Sequence, residues 1–110
     1  MENDMWTRRE KMIMNEMVRK SEGRSAFAIS AHQIALAEVV DLIYFGRARP
    51  KTPNETAAWT MRHMIPKLDR LGCDIKRASS RGRGSLAIYS YTDKTIEILK
   101  GLKARGELSE

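Results

Sequence analysis

Three times along this chain a Ser or Thr stands three residues ahead of a Glu or Gln and opens onto a helically spaced apolar run. The three are Thr7-Arg8-Arg9-Glu10, Ser30-Ala31-His32-Gln33 and Thr52-Pro53-Asn54-Glu55. In such a capping box the hydroxyl and the carboxylate or amide satisfy each other's orphan backbone N–H groups, so each box predicts where a helix begins. The third also offers Pro53 at the first helical position, where its missing N–H removes nothing. Three helix starts leave few architectures open to a chain of 110 residues.

The first helix is expected from Arg8 to Lys20, with Ile13, Met14, Met17 and Val18 as its apolar stripe and Trp6 ahead of the cap as a hydrophobic staple. SAFAIS, residues 25–30, reads as a short strand bounded by serines. The second helix is expected from Ala31 to Phe45. It is apolar on most faces, so it must be covered on several sides. A basic loop, GRARPKTPN, leads to the third helix, Pro53 to Leu71, which stops at Gly72. Its buried face is Ala57, Met61, Met64/Ile65, Leu68 and Leu71, and the spacing runs in register through Pro66, which predicts a bend and not a break.

Beyond Gly72 the period changes from helical to two. Strands over 74–79 and 85–91, joined by a turn around Ser80–Gly82, make an antiparallel hairpin in which Leu86, Ile88 and Ser90 alternate with Ala87, Tyr89 and Tyr91. A fourth helix, Asp93 to about Ala104, is capped by Thr92 and buries Ile96, Leu99 and Leu102. The chain thus reads as one domain over 1–110. Its core spans about 6–91, the C-terminal helix 93–104, and the tail 105–110 is expected to fray.

Ordinary apolar content (42%) and charge (31%) suit a globular domain. Cys73 is the sole cysteine, which suits a reducing compartment. No apolar run approaches a membrane span and MENDMWTRRE does not read as a leader, so the expected location is cytoplasmic, on the nucleoid. Net charge is +6, and residues 47–90 alone hold ten Arg/Lys against three acids, a net of +7. Basic charge gathered on one half points to a polyanionic partner.

Helix, short strand, helix, helix, hairpin is the element order of a winged helix-turn-helix, mainly α with a small antiparallel β-hairpin. WTRREKMIMNEM, ISAHQIALAEVV and AAWTMRHMIPKLDRLGCDIKRASSRGRGSLAIYSY resemble the first helix, the second helix, and the third helix with wing of OmpR/PhoB-type response-regulator effector domains. The likeness includes a Leu-x-x-Leu-Gly helix end and an Arg-Gly-x-Gly wing. The chain departs from that family in having no receiver domain and no N-terminal four-stranded platform. Ser85 stands where an aromatic is usual, Pro66 interrupts the third helix, and a further helix follows the wing. The resemblance implies a winged-helix fold and binding to double-stranded DNA, without phosphorylation control.

On that reading the third helix enters the major groove, with Arg62, His63 and Arg70 facing base edges or groove-wall phosphates and Lys67 at the edge of the same face. Asn54, Thr56 and Trp59 add backbone or thymine-methyl contacts, though Trp59 can equally pack against a neighbouring helix. Arg81 and Arg83 at the wing tip suit a narrow minor groove. Lys76 and Arg77 on the first wing strand, and Arg47, Arg49 and Lys51 before the third helix, meet phosphates, which position the protein without reading sequence.

His32, His63 and Cys73 are too sparse for a metal site, and no nucleophile–base pair, phosphate loop or cofactor fingerprint is present, so neither catalysis nor a cofactor is expected. The seven methionines read as core. The expected function is a sequence-specific DNA-binding transcriptional regulator, a repressor or accessory regulator, with dimerisation through the first, second or fourth helix and contact with RNA polymerase both compatible. The alternative is a winged-helix module that binds an acidic protein of the transcription machinery. RNA is disfavoured by two Trp, three Tyr and two Phe, none interleaved on the basic wing.

Overall fold

The computed structural model describes residues 5–22, 32–78 and 87–109. It is mainly helical, with a small three-stranded antiparallel sheet. Along the chain come α1 (Arg8–Ser21), β1 (Gln33–Ala35), α2 (Leu36–Ile43), α3 (Pro53–Arg70), β2 (Ile75–Ala78), β3 (Ile88–Tyr91) and α4 (Asp93–Ala104). The sheet order is β1-β3-β2. Among the described residues no helix is long and apolar enough to cross a membrane.

The first capping box forms in full. Thr7 Oγ1 accepts from the Glu10 N–H at 3.2 Å, and Glu10 Oε1 accepts from the Thr7 N–H at 2.9 Å. Trp6 is buried ahead of it but is no staple, because the residue it would meet one turn on is Lys11. The Lys67 ammonium lies over its ring instead, 5.2 Å from the centroid. Ile13, Met14, Met17 and Val18 face the core as the spacing predicts. Met61 and Met64 join them, whereas Met5 is exposed and Met12 half-buried, so the methionines are not uniformly core.

The second box does not start a helix. Gln33, its last member, opens β1, which pairs antiparallel with β3 through Gln33↔Ser90, Ile34↔Tyr89 and Ala35↔Ile88. The ladder, with the Leu36 N–H donating to the Ala87 carbonyl at 2.9 Å, satisfies this backbone better than a helix end would. α2 therefore begins at Leu36, and Glu38 Oε1 accepts from the Ala35 N–H at 2.8 Å in place of the expected Gln33. SAFAIS lies outside the described residues. α2 is also less covered than expected. Leu36, Val39, Val40 and Ile43 are buried, but Leu42 and Tyr44 are only half-buried and Phe45 is 85% exposed.

Pro53 starts α3, yet the Thr52 side chain makes no capping bond; the turn closes through the Glu55 N–H and the Thr52 carbonyl at 3.2 Å. Pro66 sits inside the helix, which continues to Arg70 because the ring faces solvent, where water can serve the carbonyl it leaves unpaired. Ala57, Thr60, Met61, Met64 and Leu68 are buried. Leu71, expected inside, is the exposed C-cap. Gly72 follows with φ +96°, the left-handed turn that favours glycine.

β2 pairs with β3 through Ile75↔Tyr91, Lys76↔Ser90, Arg77↔Tyr89 and Ala78↔Ile88. Ala87, Tyr89 and Tyr91 are the core-facing set of the alternation, and Ile88 is exposed. The turn around Ser80–Gly82 lies outside the described residues. Thr92 caps α4, accepting from the Thr95 N–H at 3.2 Å. The buried Thr95 hydroxyl accepts from the Asp74 N–H at 2.8 Å, tying α4 to the lead-in of β2. The tail does not fray as far as expected. Leu108 is buried at 2% exposure, and its carbonyl accepts from Asn15 Nδ2 at 2.9 Å, so the chain after α4 is fastened to α1.

Candidate nucleic-acid interface

Burying Ala57, Met61, Met64 and Leu68 leaves a solvent-facing stripe on α3 at helical spacing: Glu55, Trp59, Arg62, Pro66, Asp69 and Arg70, all exposed. Trp59, which could have packed under a neighbouring helix, is 55% exposed. It leans on His63 with ring centroids 3.9 Å apart and 30° between planes. His63 Nδ1 lies 3.0 Å from the Trp59 carbonyl. That oxygen can only accept, so Nδ1 carries a proton and Nε2 is the ring's free nitrogen. Thr56 is half-buried on the flank of the stripe and Asn54 is exposed at its start.

The sheet places one cation beside this stripe. Directly paired residues project to the same face of a sheet. Arg77 pairs with the buried Tyr89, so it shares the face that looks toward the helices. Arg62 and Arg77 together line a hollow floored by Ala58, Ile65, Pro66 and Tyr89. They share a second, adjoining hollow with Leu36, Asn54, Glu55, Ala58 and Trp59. Among the described residues neither arginine reaches a carboxylate at ion-pair distance. A groove with an unneutralised guanidinium on each wall attracts an anion, and both forks can engage phosphate or base acceptors bidentately.

The other expected contacts divide. Lys76 pairs with Ser90 and so projects from the opposite face to Arg77; the two cannot serve one surface together. Arg70 and Lys51 are exposed. Lys67 does not belong with them. Its ammonium lies 2.7 Å from Glu10 Oε1 and donates to the Met5 carbonyl at 2.8 Å, on the side of α3 that meets α1. Arg49 pairs with Asp41 on α2, and Arg47 lines a hollow with Arg8, Arg9 and Phe45, so neither borders the Arg62–Arg77 groove. Arg81 and Arg83 lie outside the described residues.

Sequence reasoning missed Glu55. A search for basic residues passes over an acid, yet Glu55 stands seven residues before Arg62, two helical turns along one stripe, with Trp59 between them. That spacing was available as a signal. It gives the groove one acceptor carboxylate beside its cations, and a carboxylate can accept from the cytosine amino group where an arginine reads guanine. Cys73 is buried, and burial pushes its thiol pKa up, which keeps it unreactive. Among the described residues no group of three or more His, Cys, Asp or Glu is placed to hold a metal ion. Comparison with family models, curated proteins and solved structures finds no match for this chain.

Proposed function

We propose that this chain is a sequence-specific double-stranded DNA-binding regulator with a winged-helix arrangement. In this reading α3 lies in the major groove and the β2–β3 hairpin lies beside it over the backbone. The observation that carries it is the shared groove of Arg62 and Arg77, one from the exposed side of α3 and one from the inner face of β2. Arg62, with Asn54 and Glu55 nearby, contacts base edges, and Arg77 contacts phosphate. The excess of basic over acidic residues in 47–90 supplies the sequence-independent attraction. No catalysis is assigned to the chain.

A mobility-shift titration over genomic fragments at low and at physiological salt tests this. Some fragments should bind preferentially, and affinity should fall steeply as salt rises, since each neutralised phosphate releases counterions. Binding without salt dependence, or none at low salt, would remove the proposal.

A protein ligand is the second reading. It is favoured by the exposed Trp59 and by Glu55 and Asp69 on the same stripe, because a surface that mixes an indole with both charge signs also suits a peptide. Retention on DNA competed by unlabelled specific duplex but not by acidic protein separates the two.

A further inference from the structure

Three helices of this chain carry a glutamate at their third position: Glu10 on α1, Glu38 on α2 and Glu55 on α3. Glu10 accepts from the Thr7 N–H at 2.9 Å and Glu38 from the Ala35 N–H at 2.8 Å. Among the described residues Glu55 makes neither that capping bond nor an ion pair. Its exposed carboxylate lines a hollow with Trp59, Arg62 and Arg77. Arg62 stands seven residues further along the same stripe, about 10.5 Å along the helix axis, with Trp59 between. At that separation acid and base do not neutralise each other.

Building on the DNA reading of this groove, we infer that Glu55 is a specificity-determining residue: it selects a cytosine two or three base-pair steps from the guanine that Arg62 reads. A carboxylate turned toward a duplex is repelled by the phosphates, so only a donor on a base edge offsets its presence. In the major groove those donors are the amino groups of cytosine and adenine. A carboxylate only accepts. Adenine sets its N7 acceptor beside the amino group and so repels the second carboxylate oxygen, whereas cytosine shows the amino group alone. The spacing follows from the rise of the helix. About 10.5 Å of helix covers at most about three steps of ~3.4 Å along the duplex. Asp69 stands as far beyond Arg62 as Glu55 stands before it, yet it lines neither hollow. The length of helix from Glu55 to Asp69 is about 21 Å, well beyond a groove about 12 Å wide, so Asp69 lies outside when Glu55 is at the base edges.

Selection of bound duplexes from a random pool by the full chain tests it. Wild type should enrich sites that hold a cytosine contact and a guanine contact two or three steps apart. Glu55→Gln should move the preference at the first position from cytosine to adenine by about tenfold, because an amide both donates and accepts and so matches adenine N6 and N7. The guanine at the other position should stay. Asp69→Asn removes the same charge from the same stripe and should leave the selected sequence as it is in wild type. A Glu55→Gln protein that selects the wild-type sequence overturns the inference, because a carboxylate that serves only the helix start does not alter base preference. So does an equal change of preference in Asp69→Asn. Selective binding with no cytosine requirement removes this inference alone, whereas a chain that binds no duplex removes the DNA reading and this inference with it.

Discussion

Arg62 and Lys67 are five residues apart on one helix and carry the same formal charge, yet the two sides of α3 use them in opposite ways. On the solvent side Arg62 is exposed, and Arg77 lines both of its hollows with it. On the side toward α1, Lys67 is consumed. Its ammonium meets the Glu10 carboxylate, whose side chain is only 3% exposed, the Met5 carbonyl and the Trp6 ring. Charge counted along a chain measures attraction to a polyanion only for groups that the fold leaves unspent. Here one helix supplies both kinds.

The comparison is most easily broken at Lys67. Lys67→Ala leaves Glu10 as a buried carboxylate with its cation gone, and should cost about 3 kcal/mol in urea unfolding. The double variant Lys67→Met with Glu10→Gln should recover most of that, because no charge is then stranded. A Lys67→Ala protein of unchanged stability would return this residue to the DNA-facing set. Next in size is Arg62→Ala. Stability should not move, while discrimination among binding sites should fall by about 2 kcal/mol at the base pair it reads, seen as a relaxed preference in competition binding. Smallest is Arg77→Ala, which should weaken all duplexes nearly alike and lower the salt-dependence slope by about one. If Arg77→Ala instead changed which sequence is preferred, the division of labour across the groove would be reversed.

Local signals in the sequence read well where the partners are local. The Thr7–Glu10 box and the Thr92 cap place α1 and α4 because donor and acceptor lie within one turn. Reading failed where the partner is remote. Ser30-Ala31-His32-Gln33 satisfies the capping pattern, but Gln33–Ala35 is claimed by β3, more than fifty residues later in the chain. Leu108 looked like a fraying tail because nothing nearby shows that α1 covers it. Lys67 looked like a free cation for the same reason, since Glu10 is as distant in sequence as β3 is from β1. Thr52 failed differently: the motif is intact and its backbone turn forms, but the hydroxyl does not make the cap.

The candidate groove was legible in outline, since the helical projection already turned Arg62 outward and the order of elements set a hairpin after α3. What the projection lacks is strand parity across the ladder. Only the pairing of Arg77 with Tyr89, and of Lys76 with Ser90, tells which of two adjacent cations looks at the helix. Glu55 was hidden by the choice to look for positive charge alone.

Pro66 gives the outward side of α3 one more property. In a helix the N–H of residue 66 would serve the carbonyl of residue 62, and a pyrrolidine nitrogen has no hydrogen to offer. The main-chain oxygen of Arg62 therefore loses the partner that a regular helix would give it. The position that carries the groove's guanidinium is thus also the one where the hydrogen-bond ladder of α3 is interrupted.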